Sequence, residues 1–389
     1  MSRRPRVVHV ATSDISLALL LGHQLRAFTE AGYEVVGVSG PGPFAAGLTE
    51  LGVAHHALPS LTRAVDPRAD LRAPIDLFRL FRTLRPDIVH THNPKPGIYG
   101  RLAARAARVP AVVNTVHGLY ALPDDAWSKR VTVYGLECLA VACSDAELVQ
   151  NPEDVETLRR LRVPDRKLHL IGNGIDLSRF DASRIGAERV AALRACVGAG
   201  VEDVVCGLVG RLVWEKGYGE VFAAVETLRH RVPNLRVFVA GPFDEAKTDA
   251  VTRADVDRAE RMGITFLGMR DDVDALYAAM DLYVLASHRE GWPRSAMEAA
   301  ATGVPIVATN IRGCRQVVDD GVTGLLVPPH NAGALARAIE QLASDPDLRR
   351  SMGQAARRKA RSEFDEQSVI ATTLSVYEQL LRGRPAVST

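Results

Sequence analysis

The chain has 389 residues, a length prior of about two to three domains, and each half is long enough to bury its own core. Its 47% hydrophobic and 24% charged residues describe a globular protein, and a net charge of +2 sets up no field that demands nucleic acid or membrane. No stretch of about 18 uncharged apolar residues occurs, which excludes a transmembrane helix. The opening Met1-Ser2-Arg3-Arg4-Pro5-Arg6 runs straight into an apolar strand, without the apolar region and cleavage site of a signal peptide, so a cytoplasmic location is expected. The cysteines (Cys138, Cys143, Cys196, Cys206 and Cys314) match no zinc or redox spacing and read as structural thiols.

The first half alternates strands and helices. Residues 7–11 predict a buried strand. The loop Thr12-Ser13-Asp14-Ile15-Ser16 follows, then a helix over 17–31 stopped by Gly32, and a strand over 34–39. Such a β-α-β unit implies parallel strands and a right-handed crossover. A strand at 53–57, a helix at 71–84 and a strand at 87–92 continue the pattern. That last strand ends in His90 and His92, which share a face because side chains two apart in a strand point the same way. No third ligand lies at a convincing spacing, so the pair reads as polar residues closing a strand, and no metal site is expected. Asn93-Pro94-Lys95-Pro96-Gly97 predicts a rigid polar loop before a helix at 98–107. A strand at 111–116 ends in His117-Gly118, at the end of a parallel strand where a ligand crevice lies. Residues 139–143 predict a further strand, Gly172-Asn173-Gly174 a turn, and 178–202 a connection between domains.

Residues 61–108 hold ten basic against four acidic side chains. That excess could meet an anionic lipid or a diphosphate-linked acceptor, although the segment lacks the aromatic and apolar stripe expected of an interfacial helix.

In the second half a strand at 204–209 leads into Gly210-Arg211-Leu212-Val213-Trp214-Glu215-Lys216-Gly217 and a helix. Arg211 can fork onto phosphate oxygens and Lys216 adds a point charge, which suits a departing diphosphate; the segment lacks the residue order of a P-loop. Strands follow at 235–240 and 264–267, the second closed by Gly268. Asp272-Val273-Asp274 imitates a metal-binding Asp-x-Asp, but Asp271 and Asp272 read instead as acids at the positive end of a helix at 273–280. A strand at 282–286 then meets Glu290-Gly291-Trp292-Pro293-Arg294-Ser295-Ala296-Met297-Glu298, whose helix begins near Pro293 and Ser295. The open amides of a helix start suit a phosphate, and Glu290 and Glu298 can accept paired hydrogen bonds from ring hydroxyls. A strand at 305–309, helices at 332–342 and 348–361 and a final helix at 364–381 complete the chain.

The combination of Thr115-Val116-His117-Gly118, Gly210-Arg211-Leu212 with Lys216-Gly217, Gly268 and Glu290 with Glu298 resembles the retaining glycosyltransferases of family GT4, over residues 7–378. Within that family it is similar to a branch that builds bacterial surface and capsular glycans. The resemblance implies an α/β chain of GT-B fold: two Rossmann-like parallel-sheet domains facing across a cleft. An acceptor-side domain spans 1–180, a donor domain 195–361, and a C-terminal helix from 364 crosses back to the first. It implies transfer of a sugar from a nucleotide-diphosphate donor, a UDP-hexose or UDP-N-acetylhexosamine, to a glycan, lipid-linked or small-molecule acceptor, with no cofactor and no metal. Contact with an anionic membrane surface and no nucleic-acid partner belong to the same expectation.

By the same resemblance His117, Glu290, Arg211 and Lys216 are catalytic. Gly210, Gly268, Met269, Arg270, Gly291, Trp292, Pro293, Arg294, Ser295, Ala296 and Glu298 bind the donor, with Glu298 on the ribose and Met269 and Arg270 at the base. Ser13, Ser16, His92, Asn93 and Lys95 lie on the acceptor side. Many members carry a glycine pair in the first loop; here Ser13, Asp14 and Ser16 stand instead. A nucleotide-sugar epimerase on a similar fold and a non-catalytic sugar-binding protein stay open as alternatives.

Overall fold

A computed structural model describes residues 3–62, 66–92, 94–121, 125–244 and 247–382. The chain forms two compact units, one from the described residues up to Gly172 together with those from Gln367 onward, the other from Asn173–Glu366.

The first unit is a parallel sheet of β1 (Arg6–Ser13), β2 (Glu34–Gly40), β3 (Ala54–Ala57), β4 (Ile88–His92), β5 (Ala111–Val116), β6 (Ala146–Val149) and β7 (Leu168–Leu170), in the order β3-β2-β1-β4-β5-β6-β7. Strand order reverses between β1 and β4, in register His9 to His90. In doubly wound sheets that reversal opens a crevice beyond the carboxyl ends of the strands. Helices cover both faces, so the inner strands read as unbroken Val/Ile runs. The final helix, Glu366–Arg382, adds Ile370, Val376 and Tyr377 to the core beneath β1.

Several elements differ from expectation for physical reasons. Residues 139–143 are not a strand; they close the helix Trp127–Ala142, and the strand is β6. The missed strand hides a carboxylate: Glu147 is 0% exposed at its centre. Arg101, itself 1% exposed, donates to Glu147 at 2.9 Å and to Glu137 at 2.8 Å, and the Asn114 amide donates to Glu147 at 2.8 Å. A buried charge is tolerable when paired and hydrogen-bonded in this way. The polar loop expected at 93–97 is mostly helix, because Pro94–Ala106 places its prolines in a first turn that needs no N–H from them. The helix expected over 17–31 divides into a π-helical turn, Ser16–Leu20, and an α-helix, Gly22–Glu30.

The basic segment is also corrected. The helix Pro67–Leu84, capped by the Asp66 side chain, exposes Leu71 (76%), Ile75 (52%) and Phe78 (38%). Their i, i+4, i+7 spacing makes a single apolar stripe, with Arg68, Arg72, Arg79 and Arg82 exposed on the same helix. The stripe escaped notice because the buried Ala73, Leu77 and Phe81 supply the stronger periodicity on the opposite face.

The second unit is a parallel sheet of β8 (Val204–Val209), β9 (Leu235–Ala240), β10 (Ile264–Phe266), β11 (Leu282–Leu285), β12 (Ile306–Thr309) and β13 (Gly324–Val327), in the order β10-β9-β8-β11-β12-β13. Helices Tyr218–Leu228 and Ala332–Ser344 cover one face, and Arg294–Thr302 and Pro346–Glu363 the other. Residues 178–202 are not bare connection: they hold the helix Ala187–Cys196, with Leu193 in the core. Among the thiols, Cys206 and Cys314 are buried, whereas Cys138 and Cys196 are exposed and fill no core. Among the described residues no helix is long and apolar enough to cross a membrane.

Candidate active site

In the second unit the strand order reverses between β8 and β11; the predicted donor residues 210–216 and 290–298 follow those two strands, whereas Gly268, Met269 and Arg270 follow the edge strand β10. Gly210 follows β8, and Lys216 ends a 3₁₀ turn, Trp214–Lys216. Gly217 then takes φ +76° with its hydrogen facing the Ala286 carbonyl; an added Cβ would lie 2.1 Å from that oxygen. Only glycine fits there, and the close approach sets Lys216 against the loop after β11. Lys216 Nζ donates to Glu290 Oε1 at 2.6 Å, and Ser287 Oγ donates to the same oxygen at 2.7 Å. A small recess lies beside Lys216, lined by Gly210, Lys216, Tyr218, Leu285 and Ala286 among others. Arg211 is about two-fifths exposed and held by Asp244, Nη1 to Oδ2 at 2.5 Å.

Pro293 caps the helix Arg294–Thr302 without a side-chain bond to its first amides. Ser295 Oγ accepts from the Tyr283 hydroxyl at 2.7 Å, and Ala296 is buried beneath the turn. Trp292 packs on the core with its indole N–H buried and unpartnered, while its carbonyl accepts from the Asn173 amide at 3.3 Å. Gly313 seats the loop from behind: a Cβ on it would come 2.7 Å from the Glu290 carbonyl. Glu298 Oε2 accepts from the Tyr277 hydroxyl at 2.9 Å, the one side-chain donor to its carboxylate among the described residues. Burial pushes the Glu298 carboxyl above its ordinary range, against the pull of Arg294 and Tyr277.

Gly268 takes φ +64°, and its carbonyl accepts from the Gly241 amide at 2.8 Å. Met269 beyond it is 54% exposed. Arg270 is clamped to Asp272 by two bonds of 2.8 Å, and Arg189 grips the same carboxylate. Asp272 therefore anchors two arginines and stands, as expected, at the start of the following helix, Val273–Ala278, although its side chain bonds to none of that helix's amides.

In the first unit Ser13 and Ser16 meet through their hydroxyls at 3.2 Å. Asp14, 5% exposed, accepts from the amides of Ile15 and Phe44 at 2.8 and 2.7 Å. Its carboxylate fills the space over Gly42, where an added Cβ would lie 2.3 Å away. Lys95 is paired to Asp70 at 2.6 Å. Asn93 lies outside the described residues. His92 and His117 are brought together, Nδ1 to Nε2 at 3.1 Å.

Sequence reasoning missed His9. It stands in the middle of β1, 1% exposed, and its Nδ1 lies 3.0 Å from His92 Nε2. It is the third imidazole that spacing alone did not supply: His9, His90 and His92 lie close enough together to share a cation, as do Glu220, His288 and His330 in the second unit. One polar residue inside an otherwise apolar run, Val7-Val8-His9-Val10-Ala11, was the available signal. Tyr277, Ser287 and Asp244 were also missed, and no local pattern marks them.

The family model for Glycosyltransferase Family 4 matches residues 17–179, and that for Glycosyl transferases group 1 matches 193–359. Sucrose-phosphate synthase from Thermosynechococcus elongatus superposes with a TM-score of 0.81 at 21% identity, covering 98% of this chain and 100% of that one. HepE from Anabaena, solved with UDP and glucose, superposes at 0.79 and 18% identity over 97% and 99%. The fold is GT-B. The UDP-Gal:alpha-D-GlcNAc-diphosphoundecaprenol alpha-1,3-galactosyltransferase of Escherichia coli is 31% identical over 300 residues, 75% of each chain. The capsular polysaccharide glycosyltransferase CapM of Staphylococcus aureus is 26% identical over 84% of this chain and 85% of its own. The chain belongs to glycosyltransferase family 4 and is a glycosyltransferase.

Proposed function

We propose that the chain transfers a hexose or N-acetylhexosamine from a UDP-sugar to a lipid-linked glycan acceptor, with retention at the anomeric carbon and without a metal ion. The observation that carries this reading is the Lys216–Glu290 pair at the switch point of the second sheet, held 2.6 Å apart beside the start of the helix Arg294–Thr302. The E. coli relative uses, by its name, a UDP-sugar and a diphosphoundecaprenol-linked acceptor, which supports the choice of both substrates.

Two cations of the site are each matched by a carboxylate, Lys216 by Glu290 and Arg211 by Asp244. A diphosphate brings about two negative charges and more acceptor oxygens than one carboxylate, so it competes for both cations. Lys216 leaving Glu290 frees that carboxylate for sugar hydroxyls at the moment the phosphate arrives. The positive end of the helix Arg294–Thr302, which no side chain caps, complements the same charge. Glu298, short of hydrogen-bond donors and raised by burial, gains them from ribose hydroxyls and is then stabilised as the anion. Charge on the leaving diphosphate grows in the transition state, where positioned cations act most. The leaving phosphate oxygen takes the acceptor's proton as the new glycosidic bond forms on the same face.

The unit containing the first sheet takes the acceptor side. His117 is assigned to a donor-sugar hydroxyl, and Ser13, Ser16, His92, Asn93 and Lys95 to the acceptor. Met269 and Arg270 are assigned to the base. The Leu71, Ile75 and Phe78 stripe with its flanking arginines fits peripheral contact with an anionic membrane face, where a lipid-linked acceptor is presented.

The test is turnover of a UDP-sugar panel with an undecaprenyl-diphosphate-linked acceptor in the presence of chelator, with product stereochemistry read by NMR. An α-linked product formed at full rate is expected. A requirement for added divalent cation, or inversion at the anomeric carbon, overturns the proposal.

A further inference from the structure

Six side chains of the first unit stand in one hydrogen-bonded file. Thr115 Oγ1 lies 2.7 Å from His90 Nε2, and His90 Nδ1 lies 2.5 Å from the Tyr377 hydroxyl. That hydroxyl is 3.5 Å from His9 Nε2, His9 Nδ1 is 3.0 Å from His92 Nε2, and His92 Nδ1 is 3.1 Å from His117 Nε2. All but His117 are buried, and the three inner imidazoles have both ring nitrogens committed to the file.

The protons of such a file are not independent. Burial holds His9 down to about 3 and His90 and His92 well below the ordinary histidine range, so all three are neutral. A neutral imidazole has one donor and one acceptor nitrogen. If one junction is set, each imidazole passes the same direction to the next. The inner end sets it. Among the described residues the Thr115 side chain bonds to His90 alone, so its hydroxyl proton either points at His90 Nε2 or is buried unpaired. An unpaired buried donor is expensive. With Thr115 donating, His90 carries its proton on Nδ1 and gives it to the Tyr377 oxygen. Tyr377 donates to His9 Nε2, His9 Nδ1–H to His92, and His92 Nδ1–H to His117 Nε2.

We infer that this file fixes the tautomer of His117, leaving its Nε2 as acceptor and its proton on Nδ1, and that Thr115, His90, Tyr377, His9 and His92 are positioning residues for it. The consequence for transfer rests on the role proposed for His117: with Nε2 accepting from His92 and Nδ1 protonated, it takes no proton from the acceptor. The same three buried imidazoles could instead share a cation, which would take their lone pairs and leave no directed file.

The ring nitrogens of the ¹⁵N-labelled full chain report the tautomer directly through long-range proton–nitrogen correlation at neutral pH, with His117→Gln assigning the signals. A protonated Nδ1 and a bare Nε2 are expected for His117. Thr115→Val removes the hydroxyl at nearly constant shape, and Tyr377→Phe cuts the file between His90 and His9. Each should move His117 towards a mixture in which Nε2 is also protonated. Wild-type His117 protonated on Nε2 overturns the inference, as does a His117 tautomer unmoved in both variants. Stoichiometric zinc in the purified chain, lost on His9→Gln, overturns it as well. The readout does not involve turnover, so an inactive chain with the expected tautomer would sink the functional reading and leave this one standing.

Discussion

The two sheets present the same topological position in opposite chemistry. In the second unit the reversal between β8 and β11 carries charged groups in pairs, Lys216 with Glu290 and Arg211 with Asp244, partly open to solvent. In the first, the reversal between β1 and β4 carries neutral imidazoles, buried and hydrogen-bonded to one another. The first arrangement can exchange partners with an incoming anion; the second can only orient. Under the proposed function, charge serves the leaving group and the neutral file directs His117 towards a sugar hydroxyl.

The largest effect expected is on stability, and it marks where the first unit does bury charge. Arg101→Met strips Glu147 of its cation at a site 0% exposed and should cost about 3–5 kcal/mol of unfolding free energy, read by denaturant titration. An unchanged midpoint would mean that Glu147 is protonated in the folded chain.

Next, Lys216→Ala should raise the barrier for transfer by about 2–4 kcal/mol, roughly 30- to 900-fold in kcat, while leaving the fold intact. Full activity would remove Lys216 from the reaction and leave the second site without its main cation.

Glu298→Gln should weaken UDP binding by about 1.5–3 kcal/mol by replacing a charged acceptor of the ribose with a neutral one. It should act the other way on the empty chain. The folded carboxyl of Glu298 is raised, so the folded state holds its proton where the unfolded state has lost it. Its contribution therefore falls as pH rises from the ordinary glutamate value through the raised one, and Glu298→Gln should remove that slope. A stability profile with the same slope in both chains would contradict the assignment.

The smallest effect belongs to the stripe on Pro67–Leu84. Arg79→Ala should lower binding to anionic vesicles by about 1 kcal/mol, and more salt should shrink the difference. Vesicle binding equal in the two chains would take this helix out of any membrane contact.

The second site was legible from chain spacing and the buried imidazole file of the first was not, and the reason is physical. Gly210-Arg211 to Gly217 and Glu290 to Glu298 are local: one loop and one helix start bring each set together, so chain spacing carries the geometry. Ala111–Val116 and Val204–Val209 were legible as strands because buried parallel strands are unbroken apolar runs. The imidazole file draws on β1, β4, the end of β5 and the final helix, with His90 and Tyr377 far apart in the chain. Two neighbours, His90 and His92, were visible as a pair, but the sheet register that sets His9 beside His90 is not written in either segment. β6 was misplaced for a related reason: a buried Glu147 looks like a surface residue until Arg101 is found opposite it.

The central claim is that the second unit takes a nucleotide diphosphate on Lys216, Arg211 and the start of Arg294–Thr302. A crystal structure of the chain with UDP tests it most directly. The account predicts phosphate oxygens within hydrogen-bond reach of Lys216 and Arg211, both carboxylate partners released, and the ribose on Glu298. A nucleotide bound elsewhere, or bound with Lys216 still on Glu290 and Arg211 still on Asp244, would contradict it.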